Sequence, residues 1–411
     1  MRNVRKILAL LFAVMLGLTL LAGCSETPGA PAGGGDAAAE TVEDTADDVA
    51  EDTADDPPAE AGTGEGLEGY HIFMFKSTGN LFGDLMYEGF SEYLQAKGER
   101  TAYRSPAETT VAAQVQMLEE LIVQGVASIT ISTNGDAGYD EVFRRAEEAG
   151  IPIISIDSEA NPDFRVVHVN QAETQDIGSF LVQAAVLIHL GIDYPETGTM
   201  REALEVALPD YDGEEIVLGV LSASIDTPVQ NSWIAAMEIE LADPLYAGRV
   251  SPDLDIKYGN DDLTESTTQA QAFIAEDRVD VIISPTTVGI AAAGQQLRMA
   301  ESRIRLTGLG LPSEMQGFMP LDEDADPFDY VCPYMMLWDV IHLGAVAGGA
   351  VYATINDGFD GAVGSSFEMA PFRDRPATVF EAYQSGDGTA VLAGTPYVFN
   401  RRNMAFWKDV L

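Results

Sequence analysis

Cysteine is nearly absent from the 411 residues: Cys24 and Cys332 are the only two. No disulfide framework can be built from them, so the fold must rest on its apolar core. Histidine is scarce as well. Of the four, His71 and His168 fall in strand patterns and His189 and His342 in helical ones, where packing explains them better than catalysis. The sequence has no Gly-x-Ser-x-Gly elbow, no P-loop, no His-Glu-x-x-His, and no Gly-x-Gly-x-x-Gly after its first strand. The usual routes to hydrolysis, nucleotide chemistry and zinc catalysis are therefore missing, and no catalytic residue, metal or cofactor is expected. Basic residues number 22 against 66 acids, for a formal charge of −44. Nucleic acid and anionic membrane surfaces are poor partners for such a field. Only five of the basic residues are lysine. Crowded carboxylates of this kind suit a high-salt habitat or simply an acidic exported protein, and the sequence leaves both open.

The acidity is unevenly spread. Arg2, Arg5 and Lys6 precede an apolar run from Ile7 to Leu21, which ends in Ala22-Gly23-Cys24. This basic, apolar, small-residue order is that of an export signal, and the run is shorter than the roughly 20 residues a spanning helix needs. Leu21-Ala22-Gly23-Cys24 resembles the lipobox of bacterial lipoproteins, which implies that Cys24 is acylated and anchors the mature chain to the membrane. Residues 25–68 then carry 14 acids, no Lys or Arg, and the unit Glu-Asp-Thr-Ala-Asp-Asp twice. Such a segment buries too little apolar surface to offset its chain entropy, so it reads as a disordered acidic tether after a 1–24 signal. With signal and tether removed, about 343 residues and a charge of −33 remain (−44, less +3 and −14), enough for two cores.

That body alternates short apolar strands with amphipathic helices. Strands are expected at 71–76, 127–132, 152–156, 216–222, 255–258, 279–283 and 305–309. Helices are expected at 82–97, 107–124, 137–149, 230–241, 265–276, 288–299 and 339–353. Apolar strands separated by helices of this length imply parallel sheets covered on both faces. The reading is α/β: two doubly wound parallel-sheet lobes joined by a hinge. The N-terminal lobe takes 69–172 plus 339–394, and the C-terminal lobe 173–338 plus 395–411.

Ligands of such sheets sit at the carboxyl ends of the strands. There the sequence places Lys76, Asn80 and Phe82, then Asp157, then Gln230 and Trp233, then Pro285, Thr286 and Thr287, and finally Trp338. Planar polar side chains beside aromatic rings are what a sugar needs, the former for hydroxyls and the latter for its C–H faces. Each residue also has an ordinary reading. Asn80 and Asp157 fit helix caps, as do Thr286 and Thr287; Trp233 and Trp338 fit a core, and Gln230 a helix surface.

Three runs carry a family resemblance. Ile283-Ser-Pro-Thr-Thr-Val-Gly-Ile290, Leu306-Thr-Gly-Leu-Gly-Leu-Pro-Ser-Glu-Met315 and Leu337-Trp338-Asp339 resemble the ribose-type periplasmic sugar-binding proteins of ABC importers. The likeness is to the rhamnose-binding and autoinducer-2-binding branch. It implies a hinged, ligand-closing monomer that delivers a small sugar, rhamnose first among them, to an importer permease. Carried over by position, Lys76, Asp157, Gln230, Pro285 and Thr287 match autoinducer-2 contacts. Asn80 and Phe82 match first-loop contacts of the ribose type, and Trp338 the last one. The pattern departs in two places: Val229 stands where an acid precedes the Gln, and Thr287 where an Ala is usual. A sensory receptor of the same fold and a surface-anchored α/β enzyme are the competing readings. Two stretches lie outside the family pattern, a polar insertion at 190–212 and an acidic loop at 320–329. The second is read as solvated rather than as a calcium site.

Overall fold

The computed structural model describes residues 66–411. The expected signal, Cys24 and all but the last three residues of the acidic segment lie outside the described residues.

The chain begins with β1 (His71–Met74), α1 (Leu81–Ala96), β2 (Thr101–Arg104), α2 (Val111–Gln124), β3 (Ser128–Ile131), α3 (Asp140–Glu148), β4 (Ile153–Ile156) and β5 (His168–Asn170). β1, β3 and β4 are buried along their whole length. Their apolar, largely β-branched side chains can therefore fill both faces of a parallel sheet. Asn80 starts α1 by accepting a hydrogen bond from the Gly83 N–H, and Thr110 starts α2 in the same way from Ala113. The cap explains why α2 begins at Val111 and not at Ala107, where the apolar periodicity starts.

A second series follows: α4 (Thr174–His189), α5 (Met200–Ala207), β6 (Leu218–Ser222), α6 (Pro228–Leu241), β7 (Asp255–Tyr258), α7 (Leu263–Glu276), β8 (Val281–Ser284), α8 (Thr287–Met299) and β9 (Arg305–Gly308). These four strands form a parallel sheet in the order β7-β6-β8-β9. The polar insertion at 190–212 is partly helical. Thr199 and Glu202 form a capping box that starts α5.

The last hundred residues are shared between the two sheets. They hold α9 (Pro312–Met315), β10 (Met335–Leu337), α10 (Val340–Tyr352), β11 (Ser366–Met369), β12 (Thr378–Glu381), β13 (Tyr383–Ser385), β14 (Gly388–Leu392), β15 (Tyr397–Phe399) and α11 (Met404–Trp407). β14 pairs parallel to β5, and β13 closes that edge antiparallel. The first sheet is thus seven-stranded, in the order β13-β14-β5-β4-β3-β1-β2. β10 pairs antiparallel with β15 and bridges to Leu309 at the end of β9. Meanwhile α4 packs on α6, β8 and β9, while α10 packs on α1. The chain therefore passes between the two sheets three times: after Asn170, after Leu337 and after Leu392.

β2 and β11 to β15 were not expected as strands, whereas β5 holds the strand pattern around His168. β2 reads Thr-Ala-Tyr-Arg and is only half-buried, so no apolar run marks it. The later ones are three to five residues long, and three of them lie largely exposed. Cys332 is free and wholly buried, and burial pushes its thiol well above the usual range, so it is chemically inert.

The contact between α1 and α10 is the closest helix approach in the first lobe. A Cβ added at Gly89 would come within 1.8 Å of the Ile341 carbonyl oxygen, and one at Gly344 within 1.8 Å of the Met86 carbonyl oxygen. The helices must separate to admit either methyl group. Gly89→Ala or Gly344→Ala is expected to lower stability by about 1–3 kcal/mol, as overpacking does. Urea unfolding reads this as a lower midpoint with an unchanged slope. A midpoint equal to the parent's would show that the helices have slack.

Candidate functional site

The strand ends of the two sheets converge on a cavity of about 350 Å³. Nine of the ten residues singled out by strand-end position, Lys76, Asn80, Phe82, Asp157, Gln230, Trp233, Pro285, Thr287 and Trp338, line it, and the tenth, Thr286, lies beside them. They come from both halves of the chain. Lys76, Asn80, Phe82 and Asp157 follow strands of the first sheet, and Gln230, Trp233, Pro285 and Thr287 follow strands of the second. Trp338 sits where the chain crosses between them.

Its charged element is a buried pair. Lys76 Nζ lies 2.9 Å from Asp157 Oδ2, with both side chains about 4% exposed. The Ser132 hydroxyl donates to the same carboxylate oxygen at 2.8 Å. Asp157 has a φ of +60°, in the left-handed region, where Asp is tolerated better than most residues. Its cap reading fails, since no helix follows directly; Asn80 both caps α1 and lines the cavity. Behind the pair lies a polar network that strand-end reasoning missed. Gln114, buried on α2, donates to the Ser132 carbonyl at 2.9 Å and accepts from the Asn134 backbone N–H at 2.9 Å. Asn134 in turn donates to the Lys76 carbonyl at 2.9 Å. The available signal was Gln114 itself, a polar residue on the otherwise apolar face of a helix.

The apolar element is aromatic. Phe82 meets Trp338 edge-on with ring centroids 6.1 Å apart, and Trp233 meets Trp338 at 5.8 Å. Gln230 Oε1 and Trp338 Nε1 are buried with no hydrogen-bond partner among the described residues.

Phe75, Asp261, Thr286, Leu309 and Leu337 complete the wall. Asp261 follows β7 with a φ of +50°, and its Oδ1 accepts from the Thr286 hydroxyl. Thr286 makes no side-chain cap to α8, so its hydroxyl is committed to Asp261 instead. Val229 lines a neighbouring cavity together with Pro162 and Pro228. Among the described residues no three His, Cys, Asp or Glu side chains cluster as metal ligands would. The histidines are bonded or packed: His71 to Ser128, His168 to Ser155, His189 to Tyr211, and His342 beside Phe380. An ion pair, spare hydrogen-bonding atoms and aromatic faces around a small, partly open volume equip this cleft to hold a polar solute.

Comparison with known proteins agrees with that chemistry. The family model for the periplasmic binding protein domain matches residues 71–357. The chain belongs to the periplasmic binding protein family. It is a solute-binding protein and not an enzyme, and its family is extracytoplasmic. No helix among the described residues is long and apolar enough to cross a membrane. A similar solved structure is an ABC transporter solute-binding protein from Clostridium phytofermentas with bound L-rhamnose. It is 30% identical over 84% of this chain and 100% of that one, with a TM-score of 0.70. A sugar ABC transporter protein from Actinomyces odontolyticus is 26% identical over 84% and 98%, with a TM-score of 0.58. LsrB from Clostridium saccharobutylicum, in complex with AI-2, shares the fold at 21% identity over 82% and 98%, TM-score 0.67.

Removing one partner of the buried pair leaves the other charge uncompensated. Lys76→Met is expected to cost the binding protein about 3–5 kcal/mol, and Asp157→Leu a similar amount. The double variant should lose much less than the sum of the two. Strictly additive losses in urea melts would mean that the two groups do not stabilise each other.

Burial also sets a pH dependence. It pushes the His168 imidazole, beside Arg165, down to about 4 from its ordinary 6.5. The unfolded chain therefore binds a proton that the folded chain refuses between those values. The stability contributed is complete above pH 6.5 and is lost as pH falls toward 4. His168→Asn should flatten the stability profile in that window, and an unaltered slope would show that His168 does not titrate there.

Proposed function

We propose that this binding protein is the receptor of a sugar importer of the ABC type, with L-rhamnose or a related deoxyhexose as its solute. The reading is carried by one observation: nine strand-end residues of mixed polar and aromatic character, drawn from both sheets, meet around a single small cavity. The 30%-identical relative with bound L-rhamnose supports the choice of sugar. In this reading Lys76, Asn80, Asp157, Gln230 and Thr287 bond hydroxyls, while Phe82, Trp233, Pro285 and Trp338 pack on C–H faces. A methyl-bearing sugar gains from the aromatic wall, because its apolar corner leaves no polar group unpaired.

The lobes we propose are 69–172 plus 339–394 and 173–338 plus 395–411, with the cleft between them. Sugar touching both lobes favours their closed arrangement, which the permease then recognises. Acylation of Cys24 and the acidic tether would hold the monomer close to that permease and raise the rate of productive encounter. Delivery to a sensory partner is the second reading, and uptake with and without the cognate permease separates the two.

Autoinducer-2 is the rival solute, and the fold shared with LsrB keeps it in view. Val229, in the place of an acid, weighs against it. Asp261 supplies the second lobe with a carboxylate from a different loop, so a ligand hydroxyl there need not go unpaired.

A thermal-shift screen of monosaccharides with autoinducer-2 included tests the proposal. At 100 times its Kd a ligand adds about 2.7 kcal/mol to stability, which a melting curve resolves easily. L-Rhamnose or another deoxyhexose should give the largest shift, and Gln230→Leu should weaken that sugar at least tenfold. A shift with autoinducer-2 alone would replace the proposed solute, and no shift with any sugar would remove the sugar reading.

A further inference from the structure

A second cavity lies on the other side of Trp338, where β5, β10 and β14 end. It encloses about 570 Å³, part of it open to solvent. Its wall contains a residue from every passage of the chain between the sheets: Gln171 from the first, Trp338 and Asp339 from the second, and Gly394 and Thr395 from the third. Trp338 lines this cavity and the strand-end cleft alike.

The polar groups here are not all used by the protein. Gln171 is 1% exposed, and its Oε1 has no hydrogen-bond partner among the described residues. His342 is 9% exposed, and its Nδ1 is likewise unpartnered. No hydrogen bond fixes the tautomer of that ring, so Nδ1 can donate or accept. Trp338 Nε1–H is an unpartnered donor. The only full charges on the wall cancel, because Arg375 Nη2 donates to Asp339 Oδ2 at 2.8 Å and to the Tyr397 hydroxyl at 3.1 Å.

This set of groups restricts what can occupy the cavity. A carboxylate or other anion offers no donor to Gln171 Oε1, and an ammonium would face the Arg375 guanidinium. A hydroxyl both donates and accepts, and so serves Gln171 Oε1 and either tautomer of His342 without adding charge. We propose that the junction between the sheets is a second binding site, which takes a small neutral polyol. The site does not depend on what the strand-end cleft binds.

The test is saturation-transfer NMR of erythritol against the full chain, in the parent and in variants of each cavity. The parent should give a saturable signal at millimolar erythritol. Gln171→Leu removes a buried acceptor, and Thr395→Trp plugs the mouth from an exposed position that leaves the core untouched. Each should weaken erythritol at least tenfold, whereas Gln230→Leu in the strand-end cleft should leave it unchanged. A response that rises linearly without saturating would mean that only water fills the junction. A saturable signal lost in Gln230→Leu but kept in Thr395→Trp would place the polyol in the cleft. Either result overturns the proposal.

Discussion

A lysine and an aspartate in contact at 2.9 Å, both almost wholly withdrawn from water, impose the constraint that the rest of the cleft obeys. Neither charge is tolerable alone at that depth, so the ends of β1 and β4 must be held in one fixed relation. The protein achieves this with backbone, not with the ions. Gln114 ties α2 to the Ser132 carbonyl and the Asn134 amide, and Asn134 ties back to the Lys76 carbonyl. The ends of β1 and β3 are thereby locked together, and the Ser132 hydroxyl links them to the Asp157 carboxylate at the end of β4. Asp157 can then accept its left-handed backbone, because its neighbours determine its position from several sides.

The opposite wall works by a different rule. Gln230, Trp233, Pro285 and Thr287 belong to the second sheet and contribute no charge. Asp261 is the one acid there, and the Thr286 hydroxyl holds it in place. A solute in the cleft meets a rigid, charged floor on one side and an aromatic, hydroxyl-bearing face on the other. Trp338, at the crossing, touches both Phe82 and Trp233 and so registers the position of the two walls relative to each other.

Much of this was legible in the sequence because the fold writes it in a regular hand. Strand-helix alternation located β1, β3, β4 and β6 to β9 to within a few residues. The rule that ligands lie at carboxyl ends of strands then selected nine residues that share one cavity. What escaped notice had no local signal. Asp261 sits in a loop after a half-buried strand, and only the tertiary fold brings it to Thr286. The Gln114 network depends on side chains 18 to 39 residues from their partners. β13 and β14 are too short to show a period; β14 is placed in the first sheet by pairing with β5, and β13 by pairing with β14. The junction cavity is the extreme case. Its wall is assembled from separate stretches of chain around Gln171, Trp338, Arg375 and Gly394, which only the tertiary fold brings together.

The uneven sharing of strands has a consequence for the order in which the chain can fold. β6 to β9 are contiguous between residues 218 and 308, so the second sheet can form from a single uninterrupted segment. The first sheet cannot. Its strands from 71 to 170 must wait for β14 at 388–392, and α1 must wait for α10, before that face is closed. In a chain emerging from its N-terminus α2 and α3 cover one apolar face of the earliest strands, while the other stays open until α10 is made. The later-made sheet is finished first. Such long-range closure is slow and leaves unpaired edges open to other chains. The same three passages that create the cleft therefore make its first half the last part of the molecule to become native.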